Sequence, residues 1–158
     1  MFERDIGGSC AFVASAAGPD VLWRGGDGPK VLILGRHDTV FQMGTLADRP
    51  FTVADGSATG PGVFDMLGGI VQALHGLAAL QRAAGHISGV ELLFSADEEV
   101  GSHESRELLE ARARACGRVL VPQPPAAGRP LKTGPHGCGT LRVVLSRPRA
   151  HARPHAPP

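Results

Sequence analysis

The sequence predicts an α/β domain: a layered sheet with flanking helices. Two observations carry that reading. Short, continuous apolar runs at residues 30–35, 90–95 and 118–121 stand between glycine, proline and charged residues, which is how strands buried on both faces read. Two stretches with helical spacing of apolar residues, 66–84 and 103–116, alternate with them, and each is stopped by a glycine. Strand, helix, strand, helix, strand is the pattern of a layered α/β domain.

The elements follow in order. Residues 1–29 carry weak strand signals, around 10–14 and 21–24, and Gly25-Gly26-Asp27-Gly28-Pro29 is a turn by composition. The run 30–35 is the first strong strand, and its end delivers Arg36, His37 and Asp38. Residues 51–54 read as a short edge strand, followed by the turn Gly60-Pro61-Gly62 leading to Asp65. From 66 to about 84, Leu67, Ile70, Val71, Leu74, Leu77 and Ala78 fall on one helix face, and Gly85 ends the helix. Strand 90–95 runs into Asp97-Glu98-Glu99. Ser102 is expected to cap a helix over 103–116, with Leu108, Leu109 and Ala113 facing inward and Gly117 terminating it. A third buried strand at 118–121 leads to Pro122-Gln123-Pro124-Pro125. Beyond residue 130, 131–134 and 140–145 read as strands, and the arginine- and proline-rich 146–158 as a frayed or displaced end.

The totals narrow the classes. A chain of 158 residues can bury one ordinary core, and 42% hydrophobic residues with mean hydropathy near zero suit a soluble globular protein. A net charge of +1 gives no strong pull toward nucleic acid or an anionic membrane. Arg142, Arg147, Arg149 and Arg153 lack the interleaved aromatics of a nucleic-acid surface. No apolar run is read as reaching the roughly 18 residues of a membrane span, and no signal pattern opens the chain. Cys10, Cys116 and Cys138 are odd in number and widely spaced, which favours a reduced, cytoplasmic setting.

Asp65 has two readings, an N-cap aspartate or a functional acid at a helix start. Its company bears on the choice. In layered sheets sites form beyond the carboxyl ends of strands, where His37/Asp38, Glu98/Glu99 and Gln123 are expected. A turn carboxylate, a histidine near an aspartate, and paired glutamates are the parts of a metal-assisted hydrolase. One glutamate can bind metal while its neighbour takes a proton from water. Ordinary solvated loop acids are the other reading of the same residues.

The stretches 35–40, Gly60-Pro61-Gly62-Val63-Phe64-Asp65-Met66, Ala96-Asp97-Glu98-Glu99-Val100-Gly101-Ser102 and Leu131-Lys132-Thr133-Gly134 stand in one order and spacing. Over roughly residues 18–151 the chain resembles the zinc-dependent exopeptidases and deacylases that include glutamate carboxypeptidase, acetylornithine deacetylase and succinyl-diaminopimelate desuccinylase. The carboxypeptidase branch is the most similar. The resemblance implies two zinc ions per site. Asp65 then matches the bridging ligand, followed by a cis peptide bond, and Glu99 a ligand of one zinc. Glu98 matches the general base, and Asp38 the acid that orients a ligand histidine. His151 matches a lid-domain histidine that reaches the partner's site in dimers. It also implies a partial catalytic domain over 1–135 and the start of a lid or dimerisation domain over 136–158, and a substrate that is an N-acyl amino acid or peptide.

Three departures qualify it. The zinc-histidine position holds Arg36, which offers only donors, and His37 occupies the variable place beside it. Neighbouring residues on a strand face opposite ways, so His37 is a substitute ligand only if the strand end twists. The zinc-glutamate position after the third strand holds Gln123, a poorer ligand. Relatives also extend further at both ends, so a truncated or frame-disrupted product is expected. The function implied is carboxypeptidase-type amide hydrolysis, with this chain expected inactive. The alternative is a pseudoenzyme, or a small-carboxylate-binding remnant, in which Arg36 stands where a metal stood and pairs with Asp65. His75, His86, His103, His136 and Lys132 are read as structural or solvated.

Overall fold

The computed structural model describes residues 6–125, and the expectations for the 131–134 and 140–145 strands, Lys132, His136, Cys138, His151 and the 135/136 boundary lie outside them. Strands β1 (Ser9–Val13), β2 (Asp20–Gly25) and β3 (Val31–Arg36) come first. A one-turn helix α1 (Thr45–Asp48) and the hairpin β4 (Thr52–Ala54) and β5 (Ser57–Thr59) follow. Then come a tight helical turn Val63–Leu67, helix α2 (Gly68–Ala84) and β6 (Val90–Ser95). Helix α3 (Arg106–Cys116) and β7 (Val119–Leu120) complete the order.

The main sheet runs β1-β2-β6-β3-β7. β1 pairs antiparallel with β2, and β2 antiparallel with β6, while β3 is parallel to both β6 and β7. The layered sheet with flanking helices is therefore present, with an antiparallel edge on one side. The chain lays β3 down first, crosses by α2 to one neighbour and by α3 to the other. Strand order thus reverses at β3, and such a reversal opens a crevice at the strands' carboxyl ends.

Alternation along the strands divides the core. Trp23, Leu92 and Phe94 pack with Leu74, Leu77 and Ala78 of α2, together with Ile6 and Ile87. Leu22, Leu32 and Leu93 face the other way, against Cys116, Leu108, Leu109 and Ala113 of α3. Trp23 is wholly buried and its indole N–H donates to the Gly7 carbonyl at 2.7 Å. Burying each such side chain contributes roughly 1.5–3 kcal/mol, which explains why period-two patterning specifies the register.

Several expectations need correction. Among the described residues the 51–54 strand pairs only with β5, which no pattern signalled, and forms a separate exposed hairpin instead of a sheet edge. Val71 lies on the flank of the α2 stripe and is exposed. Ser102 does not cap α3: it has φ +52 and lies in the loop before the helix, which starts at Arg106. The third strand pairs with β3 over two residues, and Val119, Leu120 and Val121 are exposed, not buried. Finally, the stretch Val63–Ala84 is, by length and by the hydropathy of an 18-residue window within it, apolar enough to cross a membrane. Its leucines, Ile70 and two valines raise that hydropathy. Here the α2 part lays Leu74, Leu77 and Ala78 on the sheet as a core helix.

Candidate functional site

Three chain segments meet at the carboxyl end of β3. The strand delivers Arg36 in register with Ser95 of β6, and the His37 N–H continues the ladder to the Ser95 carbonyl at 3.0 Å. Gly62, at φ +70, turns the chain so that Asp65 faces this end, a conformation glycine adopts without strain. Gly69 admits the Pro122 carbonyl where a β-carbon would sit, which brings the segment after β7 against α2 and carries Gln123 in.

Asp65 is not a helix cap. No side chain caps α2, and the peptide bond from Asp65 to Met66 is cis, as the resemblance implied. Its carboxylate pairs instead with Arg36 Nη2 at 3.1 Å. Arg36 Nε meets Glu98 at 2.8 Å, and Nη1 meets Glu99 at 2.5 Å. Nη1 also donates to the Asp38 carbonyl at 2.9 Å. Asp38 accepts the Glu99 N–H at 2.8 Å through Oδ2, while Oδ1 is buried with no hydrogen-bond partner among the described residues. The Arg36 side chain is 4% exposed, whereas those of Asp65 and Glu98 are 49% and 44% exposed. The cation is inside and the acids rim it.

Asp38, Asp65, Glu98 and Glu99 thus converge, and Gln123 joins Arg36, Glu98, Ser95 and Ser102 in lining a cavity of about 140 Å³. His37 does not join. Its ring makes a hydrogen bond with the Pro19 carbonyl at 3.1 Å and lines an apolar groove with Phe12, Leu67 and Phe94. The strand end does not twist, so alternation sends Arg36 and His37 to opposite faces. His75, His86 and His103 are exposed on the surface.

Burial pushes the Glu98 carboxyl above its ordinary value; Arg36 opposes this, and the charges of Glu99, Asp38 and Asp65 add to it. Burial would also raise Asp97, but hydrogen bonds from the Ser105 hydroxyl and the Glu104 and Ser105 N–H groups outweigh it and hold the carboxyl low. Asp97 fastens the Glu98-Glu99 turn to the start of α3, a role the sequence reading missed. Asp20 was also missed: it is buried at the head of β2 and accepts the Ala96 N–H at 3.0 Å, fixing the loop that carries these acids. A buried carboxylate beside a backbone turn leaves no periodic trace, so neither was legible.

A zinc pair does not fit these residues. The Arg36 guanidinium sits among the acids and has only donors to offer. The described residues contain no group of three or more His, Cys, Asp or Glu able to hold a metal ion.

The family model for peptidase family M20/M25/M40 matches residues 32–142. Over 131 residues the chain is 35% identical to Carboxypeptidase G2 of Pseudomonas sp. (strain RS-16), covering 82% of this chain and 32% of that protein. Among solved structures, the M20 family metallo-carboxypeptidase Sso-CP2 from Sulfolobus solfataricus matches with TM-score 0.62 at 17% identity, over 75% of this chain and 29% of that one. Human carnosine dipeptidase 1 matches with TM-score 0.53 at 17% identity, over 72% and 28%. The chain spans about a third of the length of the relatives it matches. With the layered sheet, the three acidic segments and these matches in agreement, the chain belongs to peptidase family M20/M25/M40.

Proposed function

We propose that this chain is a non-catalytic member of its peptidase family, a fold whose acid cluster is neutralised from within. One observation carries the reading: Arg36 is buried and ion-paired with Asp65, Glu98 and Glu99 together. The carboxypeptidase-type hydrolysis implied by the resemblance, on a peptide or N-acyl amino acid, would use Asp65 and Glu99 as metal ligands and Glu98 as base. All three are engaged by a guanidinium. Gln123 compounds the change, since an amide replaces the negative ligand that the family pattern places there.

The same geometry argues against a small-carboxylate site. Nε, Nη1 and Nη2 of Arg36 each already lie against a carboxylate, and three carboxylates crowd one cation, so an incoming anion meets net repulsion.

Metal analysis of the purified chain beside an Arg36→His, Gln123→Glu double variant tests the reading. Little zinc is expected in the wild type and partial recovery in the variant, with N-acyl glutamate hydrolysed by neither. Two tightly held zinc ions per wild-type chain, or measurable hydrolysis by it, would refute the proposal.

A further inference from the structure

We infer that Arg36 is a built-in counter-ion that takes over the tying role of a metal, so that the carboxyl end of this sheet holds together without any divalent ion. The inference rests on the non-catalytic reading for the meaning of the substitution, but its own evidence is structural. Asp65 comes from the turn before α2, Glu98 and Glu99 from the loop after β6, and Asp38 from the loop after β3. Among the described residues, these segments share Arg36 as their common ion-pair and hydrogen-bond partner. Without it, the carboxylates of Asp65, Glu98 and Glu99, with that of Asp38 nearby, would be left crowded together with no cation between them, and like charges at that range push segments apart.

The direction of burial separates this from an ordinary surface ion pair. Exposed pairs contribute little because both ends can return to water. Here the acids could return to water but the guanidinium, 4% exposed, could not. A buried charge stripped of its partners is strongly destabilising, and a set of carboxylates stripped of its cation is repulsive. Arginine also suits the task better than lysine would. Its planar fork meets Glu98 through Nε, Glu99 through Nη1 and Asp65 through Nη2, three directions that one ammonium could not satisfy in the same way.

Thermal unfolding tests this with metal as one variable and charge as the other. The wild-type midpoint is expected to be the same in excess zinc and in EDTA. Arg36→Met is expected to lower it by roughly 6–12 °C, the loss typical of breaking a buried charge cluster in a chain of this size. The decisive reading is a reversal of sign: Glu99→Gln lowers the midpoint in the wild type but raises it or leaves it unchanged beside Arg36→Met. A clear rise of the wild-type midpoint with zinc, or one effect of Glu99→Gln in both backgrounds, overturns the inference. If Arg36→Met gives no folded protein, the single variants Asp65→Asn and Glu99→Gln decide, since each must lower the midpoint. Hydrolysis by the wild type would end the non-catalytic reading yet leave the sign reversal standing, so the two failures are distinguishable.

Discussion

Two charge clusters in this domain are inversions of each other. At the sheet's carboxyl end one arginine, Arg36, is surrounded by Asp65, Glu98 and Glu99. On the α3 face one carboxylate, Glu91 of β6, is surrounded by Arg24 and Arg112. In each the buried member is the one in the minority, with Glu91 at 3% and Arg36 at 4% side-chain exposure. The clusters differ in where their partners come from. Arg24 and Arg112 project from a regular strand and helix, and Arg112 grips Glu91 through both Nε and Nη2. The partners of Arg36 come from turns, one before α2 and one after β6. A cluster held by regular elements is a brace, while the one assembled from turns is, on the function proposed above, the remnant of a site. The difference teaches that the same ion-pair chemistry can be mounted on regular elements or on turns.

The largest expected effect tests the brace. Glu91→Ala leaves two arginines without their partner and is expected to cost about 3–5 kcal/mol, read from urea unfolding. A smaller effect separates the two arginines. Arg112→Ala removes two charge-assisted bonds and should cost about 1.5–3 kcal/mol, whereas the half-exposed Arg24 should cost about 1 kcal/mol or less. Equal losses would mean that the bidentate grip adds nothing, and the contrast between brace and remnant would weaken.

The smallest effect belongs to the acid rim and has the opposite sign. The folded carboxyl of Glu98 lies above its unfolded value, so its favourable contribution is complete below the unfolded pKa and lost as pH rises through the folded one. Glu98→Gln should therefore stabilise at pH 7, by less than about 1 kcal/mol because the side chain is 44% exposed and screened by solvent. Near pH 4 the gain should vanish. A loss of stability at pH 7 would show that the pairing with Arg36 outweighs the crowding of like charges.

Much of this was legible in the sequence. The runs at 30–35 and 90–95 became β3 and β6 because a strand buried on both faces must be continuously apolar. The meeting of Asp38, Glu98 and Glu99 followed from their places at strand ends, that of Asp65 from its place after the Gly60-Pro61-Gly62 turn, and the pairing of Arg36 with Asp65 from the charge it introduced. The remainder was hidden for physical reasons. β5 is a three-residue strand of small side chains with no apolar face, so no period betrays it. The start of α3 was misplaced because Asp97, from another segment, supplies the hydrogen bonds that a local cap would have given. The apolar run after Gly117 looked buried, yet as the last strand it has β3 on one side only among the described residues.

That last strand has a kinetic meaning. β7 is joined to the sheet over two residues, yet it carries the backbone that brings Gln123 to the cavity. Regions with few buried contacts open on their own far more often than the whole domain unfolds. Amide exchange should accordingly be fastest at Val119 and Leu120 among the paired strand positions of the main sheet, slow at Leu92 and Leu93, and the wall containing Gln123 should swing away while the rest of the sheet stays closed.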